Sequence, residues 1–280
     1  PTLHDKLDDV IMALPGCSLK IITNGSRLEV FTEKLFQRID KLTVSINSFD
    51  ADTHKQIHGY GGPSQLPDIL KKLKKLLAMK NARKKIQVNY VMTGDNYGEL
   101  SAILEFIKEY DVSLTLRPMS VWFHEASGKA MTQSQKEDIY KSVCSELEKG
   151  VIGRLRDSLE HMKGSFSIEA NKKIRNTLLP CYTGFYIAFI GVDGTYKMCS
   201  YRNQPLGNIS EVPLSELWRD PKVQSELYKA CFMHETGKAV CDVCCNCPEP
   251  ETYSKLFHKY FSKMPFQLAR LSKAYKELSG

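Results

Sequence analysis

Residues 86–117 read IQVNYVMTGDNYGELSAILEFIKEYDVSLTLR, and the fold class follows from how this stretch is punctuated. Ile86 to Met92 reads as a strand. Asn96 to Tyr110 reads as a helix, because Leu100, Ile103, Leu104 and Ile107 recur on one face at helical spacing. Asn96 and Glu99 have the spacing of a capping box at its start. Val112 to Arg117 follows as another strand. Strand, helix, strand in this order implies two parallel strands joined by a right-handed crossover.

Working outward toward the N-terminus, the same unit repeats. Pro67 to Lys80 is a helix with Ile69, Leu70, Leu73, Leu76 and Leu77 in one stripe, and Leu42 to Asn47 is a strand. Phe31, Leu35, Phe36 and Ile39 mark a helix, Ser18 to Thr23 a strand closed by the turn Thr23-Asn24-Gly25. An opening helix carries Leu3, Leu7, Val10, Ile11 and Leu14 and ends at Pro15-Gly16. The expected sheet is parallel, each strand beside its sequence neighbour, with 18–23 at one edge. Ligands of such sheets sit at the strands' C-terminal ends, here near Thr23, Asn47, Met92 and Arg117. A parallel sheet buries both faces. A chain that opens on a helix with four strands is therefore expected to be part of a larger sheet.

Toward the C-terminus the rhythm changes. Ser134 and Glu137 have capping-box spacing for a helix with Ile139, Val143 and Leu147. After about residue 165, Phe185–Ile190 and Thr195–Cys199 flank Val192-Asp193-Gly194, which predicts a β-hairpin. Cys199 then lies opposite roughly Ala188, and Thr183-Gly184 must turn the chain for Cys181 to come close. Leu206-Gly207-Asn208-Ile209 leads to a short helix with Leu214, Leu217 and Trp218, and a further helix ends near Cys231. Cys241, Cys244, Cys245 and Cys247 crowd together before Pro248 and Pro250, and a terminal helix starts with Tyr253, Leu256, Phe257, Tyr260 and Phe261. The expected domains are 1–165 and 166–280.

With 280 residues, 42% hydrophobic and 25% charged, the chain is neither disordered nor collagen-like. It shows no membrane-spanning run and no secretory n-region or h-region. Its nine cysteines, an odd number, suit thiolate ligation in a reducing compartment, so a cytoplasmic location is expected and no membrane partner. The net charge of +7 owes much to the run Lys71 to Lys85. These lysines fall opposite the apolar stripe, on a solvated face without interleaved aromatics, so nucleic acid is not an expected partner.

A Cys-x-x-Cys loop presents two thiolates to one metal centre, and Cys181 with Cys199 is the natural source of two more. The chemistry fits an iron–sulfur cluster, structural zinc, or plain thiols. A zinc ribbon brings a second Cys-x-x-Cys knuckle, whereas Cys181 and Cys199 are separated by 17 intervening residues, which favours the cluster. Cys17, Cys144 and Cys231 read as ordinary thiols of the kind often buried as small hydrophobes.

The pattern Cys181-x12-Gly194-x4-Cys199, with Leu206-Gly207-Asn208-Ile209, Leu217-Trp218 and Cys241-x2-Cys244, resembles the SPASM/Twitch auxiliary-cluster domain of radical S-adenosylmethionine enzymes. Thr23-Asn24-Gly25, Val44-Ser45-Ile46-Asn47-Ser48 with His54 and Gly59, and Val91-Met92 with Asn96 and Glu99-Leu100 are similar to segments of that family's barrel. Pro1-Thr2-Leu3 is similar to the end of its Gly-Gly-Glu-Pro segment. The resemblance implies an α/β fold, a partial (β/α)6 radical-SAM-type barrel followed by a small α+β Twitch/SPASM domain with a β-hairpin. No C-x3-C-x2-C triplet occurs in the chain, so the family's catalytic [4Fe-4S] loop is absent from these residues.

What the resemblance implies for function is a radical S-adenosylmethionine oxidoreductase. Such an enzyme abstracts a substrate hydrogen with a 5′-deoxyadenosyl radical and uses an auxiliary [4Fe-4S] cluster as electron acceptor. Cys181, Cys199, Cys241 and Cys244 are the implied cluster ligands, in the one-cluster Twitch form, although Cys244-x2-Cys247 is also a legal pair. Thr23, Ser45, Asn47 and Arg117 are the implied contacts to S-adenosylmethionine. Each has a plainer use: Thr23 in its turn, Ser45 on backbone, Arg117 at the surface. His54, His58 and His124 are weaker candidates as acids or bases. Implied partners are an electron donor such as flavodoxin or ferredoxin and a small alcohol, sugar or peptide substrate. The second [4Fe-4S] cluster and its bound S-adenosylmethionine belong to the full-length parent, and the present chain alone is expected to be inactive. The alternative is a non-enzymatic, zinc-stabilised binding module.

Overall fold

A computed structural model describes residues 2–59, 64–119, 129–166, 183–199 and 204–231. The chain divides into two units, Pro1–Ala170 and Asn171–Gly280.

The first unit is built on four strands, β1 (Lys20–Thr23), β2 (Lys41–Ser45), β3 (Ile86–Met92) and β4 (Ser113–Pro118), all parallel and in the order β1-β2-β3-β4. Their boundaries lie within about two residues of the expected ones. Six helices accompany the strands up to β4: α1 (Leu7–Met12), α2 (Glu33–Arg38), α3 (Ala51–His58), α4 (Leu66–Leu77), α5 (Ala82–Lys85) and α6 (Leu100–Tyr110). After β4 come α7 (Gln133–Glu148) and α8 (Gly153–Phe166). Strand alternation sends Leu42, Val44, Val88, Tyr90 and Leu114 to one face, where they are buried with Leu35, Phe36, Ile69, Leu73, Ile103 and Ile107 of the helices. The stripe of α4 is thus core, and its lysines lie opposite it. Among the described residues no helix is long and apolar enough to cross a membrane.

Three local expectations are corrected. Asn96 and Glu99 do not cap α6: a 3-10 turn spans Tyr97–Glu99, and the two side chains are drawn to β2 and β3 instead. The capping box of α7 is Thr132 with Gln135, not Ser134 with Glu137. Thr132 Oγ1 accepts from Gln135 N at 3.2 Å and Gln135 Oε1 accepts from Thr132 N at 2.8 Å. Both pairs have the right spacing, and Thr132 is the one whose backbone is still extended. Finally, α1 covers only 7–12 and buries Leu7 and Ile11, leaving Leu3, Val10 and Leu14 exposed.

In the second unit, α9 (Thr183–Tyr186) precedes β5 (Phe189–Ile190), β6 (Thr195–Lys197) and β7 (Gly207–Asn208), which form an antiparallel sheet in that order. The expected strand 185–190 is therefore shorter, because Phe185 and Tyr186 complete the helical turn that Thr183-Gly184 begins. The hairpin turn is held by Asp193, which accepts from Thr195 N at 3.0 Å and Thr195 Oγ1 at 2.8 Å. Gly194 adopts φ +80°, and a Cβ there would stand 2.7 Å from Asn208 Oδ1, so a glycine is needed both for conformation and for room. Helices α10 (Leu214–Leu217) and α11 (Pro221–Cys231) follow, and Tyr196, Met198, Leu217, Val223 and Leu227 make a small core. The expected terminal helix from Tyr253, like Cys241 to Cys247, lies outside the described residues.

Candidate functional site

At the C-terminal ends of β2 and β3 three polar side chains lace the loops together. Asn96 Oδ1 accepts from Thr93 N at 2.7 Å, and its Nδ2 donates to Asn47 O at 2.7 Å and Val91 O at 3.0 Å. Asn47 Oδ1 accepts from Val91 N at 3.2 Å, extending the β2–β3 pairing past the end of the ladder. The Glu99 carboxylate accepts from Ser48 Oγ at 2.7 Å, Phe49 N at 2.6 Å and Tyr90 OH at 3.1 Å. Burial, and then the Glu99 charge, pushes the Tyr90 phenol far above its ordinary pKa, so it remains a donor. The loop 47–49 is thereby fixed by charge-assisted bonds rather than by packing alone.

The face of the sheet opposite the helix-covered core is polar. Register places Ile22, Thr43, Gln87 and Ser113 in one row and Ser45, Asn89 and Thr115 in the next, with Arg117 beside Val91 above them. Gln87 Nε2 donates to Thr115 Oγ1 across this face. Helix α8 adjoins it, anchored where Leu114 N donates to Ser158 Oγ at 3.2 Å. A cavity of about 630 Å³ results, lined by Lys41, Thr43, Gln87, Asn89, Thr115, Arg117, Asp157 and His161 among others. His161 keeps solvent contact, yet partial desolvation at the cavity wall, followed by the Arg117 charge, pulls its imidazole below the usual histidine value. One face of every strand thus carries hydroxyls, amides or cations, unlike the apolar face that meets the helices.

The four residues expected to contact a cofactor are not equivalent. Ser45 and Arg117 belong to the polar face and Asn47 to the loop above it. Thr23 pairs in register with Val44 and so faces the core, where it is buried. Its Oγ1 shares a 3.1 Å hydrogen bond with Thr2 Oγ1 and accepts from Gly25 N at 3.2 Å. His54 is buried in α3, its ring 4.4 Å from that of His58 and its Nδ1 3.3 Å from Ser64 Oγ. Burial, then the His58 charge, lowers its pKa to about 4. His124 lies outside the described residues. Asp157 and His161 were not anticipated. The recurrence of polar residues at 87 and 89 and at 113, 115 and 117, inside strands expected to be buried on both sides, is the signal that pointed to a polar face.

In the second unit Cys199 is buried just past the end of β6 and forms no disulfide among the described residues; in the first, Cys17 is exposed and Cys144 half-buried. Cys181, Cys241 and Cys244 lie outside the described residues, so the structure places one of the four expected ligands. A thiol placed just past a strand end is the kind of donor an iron–sulfur site uses.

Comparison with known proteins adds the following. A solved structure of TYW1 with a lysine-pyruvate adduct bound is 21% identical, with a TM-score of 0.38 over 57% of this chain and 51% of that one. The chain thus spans about half the length of that structure. A search of curated proteins found no match. Residues 181–248 match the family model of SPASM, an iron–sulfur cluster-binding domain, and this match begins at Cys181 and includes Cys199, Cys241 and Cys244. From 181 to 248, then, the chain is similar to the SPASM iron–sulfur cluster-binding domain.

Proposed function

We propose that this chain contributes the polar sheet and the auxiliary-cluster domain of a radical S-adenosylmethionine oxidoreductase, one that abstracts hydrogen from a small alcohol, sugar or peptide substrate. The observation that carries this reading is the SPASM match over 181–248, within which Cys199 is buried and forms no disulfide among the described residues. Cys181, Cys199, Cys241 and Cys244 would hold the auxiliary cluster, which supplies a one-electron acceptor when bound. Ser45 and Asn47 bind S-adenosylmethionine through hydroxyl and amide groups, and Arg117, on the same sheet face, is left to meet an anionic group of the substrate. Asn96 holds the Asn47 backbone, and Thr23, its hydroxyl engaged in the turn, shapes the end of β1. In the parent a partial barrel surrounds this face, and a flavodoxin or ferredoxin delivers electrons in the cytoplasm.

The test is metal and sulfide content after anaerobic reconstitution. About four irons and four sulfides per chain are expected. Cys199→Ala should lose them and Cys144→Ala keep them. Stoichiometric zinc without sulfide would overturn the reading in favour of a zinc-stabilised module. With dithionite and S-adenosylmethionine the chain should form no 5′-deoxyadenosine, since its residues carry no C-x3-C-x2-C triplet.

A further inference from the structure

The cavity on the polar sheet face contains more chemistry than the strand ends need. Two cations line it, Arg117 on β4 and Lys41 on β2. Neither has an ion-pair or hydrogen-bond partner among the described residues. Some cations of this unit are paired elsewhere, as Lys72 is with Asp68 at 2.6 Å and Arg154 with Asp111 at 3.3 Å, whereas these two face the cavity. Asp157 and His161 stand four residues apart on α8, hence on one helical face, and both line the same cavity. Between the two charged ends lie Thr43, Asn89 and Thr115, whose hydroxyl and amide groups both donate and accept.

Such a wall is costly unless something polar uses it. Asn89 and Thr43 occupy mid-strand positions where this fold class ordinarily places apolar side chains, and no described residue bonds to either side chain. The volume of about 630 Å³ lies within the range of metabolite sites. We propose that this cavity binds a polar metabolite through an anionic group, a carboxylate or a phosphate. Arg117 forks onto the anion, the neighbouring His161 donates to it, and Asn89, Thr43 and Thr115 take the hydroxyl or amine groups along the ligand's body. Asp157 accepts from a hydroxyl or ammonium group and repels a second anion at that end. Identifying the ligand as the substrate rests on the proposed function; the existence of the anion site does not.

The experiment is a titration of the full chain with three probes, succinate, inorganic phosphate and glycerol, followed by the nitrogen resonances of the histidine rings. Succinate or phosphate should shift the His161 resonance saturably and leave His54 unmoved, while neutral glycerol alone should not match either. Saturation by succinate assigns a carboxylate ligand and saturation by phosphate a phosphorylated one. Loss of one charge-assisted bond should weaken binding about ten- to a hundredfold in Arg117→Gln, with partial recovery in Arg117→Lys. Lys75→Gln, on the opposite, solvated face of α4, should bind as the parent does. Equal affinity in Arg117→Gln, or no saturable shift with either anion, overturns the site. Cys199→Ala should bind the anion unchanged, so failure of the cluster assignment and failure of the anion site remain distinguishable.

Discussion

The two units of this chain solve the same problem by different means. In the first, the buried face of a four-stranded sheet meets helices α2, α4 and α6, and Leu42, Val44, Val88, Ile69, Leu73 and Ile103 close a continuous core. In the second, the described core is five side chains, Tyr196, Met198, Leu217, Val223 and Leu227, under strands of two or three residues. The apolar core among the described residues of this unit is small, and the cluster proposed above would act there as a staple. The difference teaches that the hydrophobic pattern accounts for the first unit, whereas in the second the proposed cluster ligands would serve stability as well as chemistry.

The largest expected effect breaks this comparison directly. Removing the metal with a chelator under reducing conditions should abolish the cooperative unfolding of the second unit while leaving that of the first in place, as calorimetry of loaded and stripped protein would show. A metal-free chain that keeps both transitions would mean the small core suffices.

An intermediate effect sharpens the account of the first unit. Gly25 follows β1 at φ +83°, and a Cβ there would stand 2.8 Å from Ile69 Cγ2 and 3.1 Å from Val44 Cγ1. Gly25→Ala should cost about 2–4 kcal/mol in denaturant unfolding of this unit, from strain and overpacking together. Gly98→Ala, with nothing within 4 Å of the added carbon, is the control and should change little.

The smallest effect concerns pH. The pKa of His54 is lowered from 6.5 to about 4 in the folded chain, so above pH 6.5 its contribution is complete. As pH falls from 6.5 toward 4 the unfolded chain takes up a proton that the folded chain refuses, and stability declines by about 1–3 kcal/mol. His54→Gln should flatten that decline when unfolding is compared at pH 7.5 and 4.5. Glu29, Asp40 and Asp50, whose values lie below the ordinary carboxylate range, lose their contributions only at more acid pH.

Periodicity along the chain determined the four strands, their parallel order, the inward stripe of α4 and the turn at Asp193-Gly194, because each depends on residues within a few positions of one another. The spacing of Cys181, Gly194, Cys199, Cys241 and Cys244 likewise pointed to the cluster-binding domain whose family model matches residues 181–248. Only the tertiary structure decided what Asn96 and Glu99 do. As neighbours in sequence they have the spacing of a helix cap, but Ser48, 51 positions away, offers Glu99 a better-placed donor in the folded chain. The same holds for the polar face. Ser45, Asn89, Thr115 and Arg117 come from three separate strands, and Asp157 and His161 join them only because α8 is tied to the edge of β4. A local pattern specifies which face a side chain takes; which side chains share that face is set by strand register, a property of contacts distant in sequence.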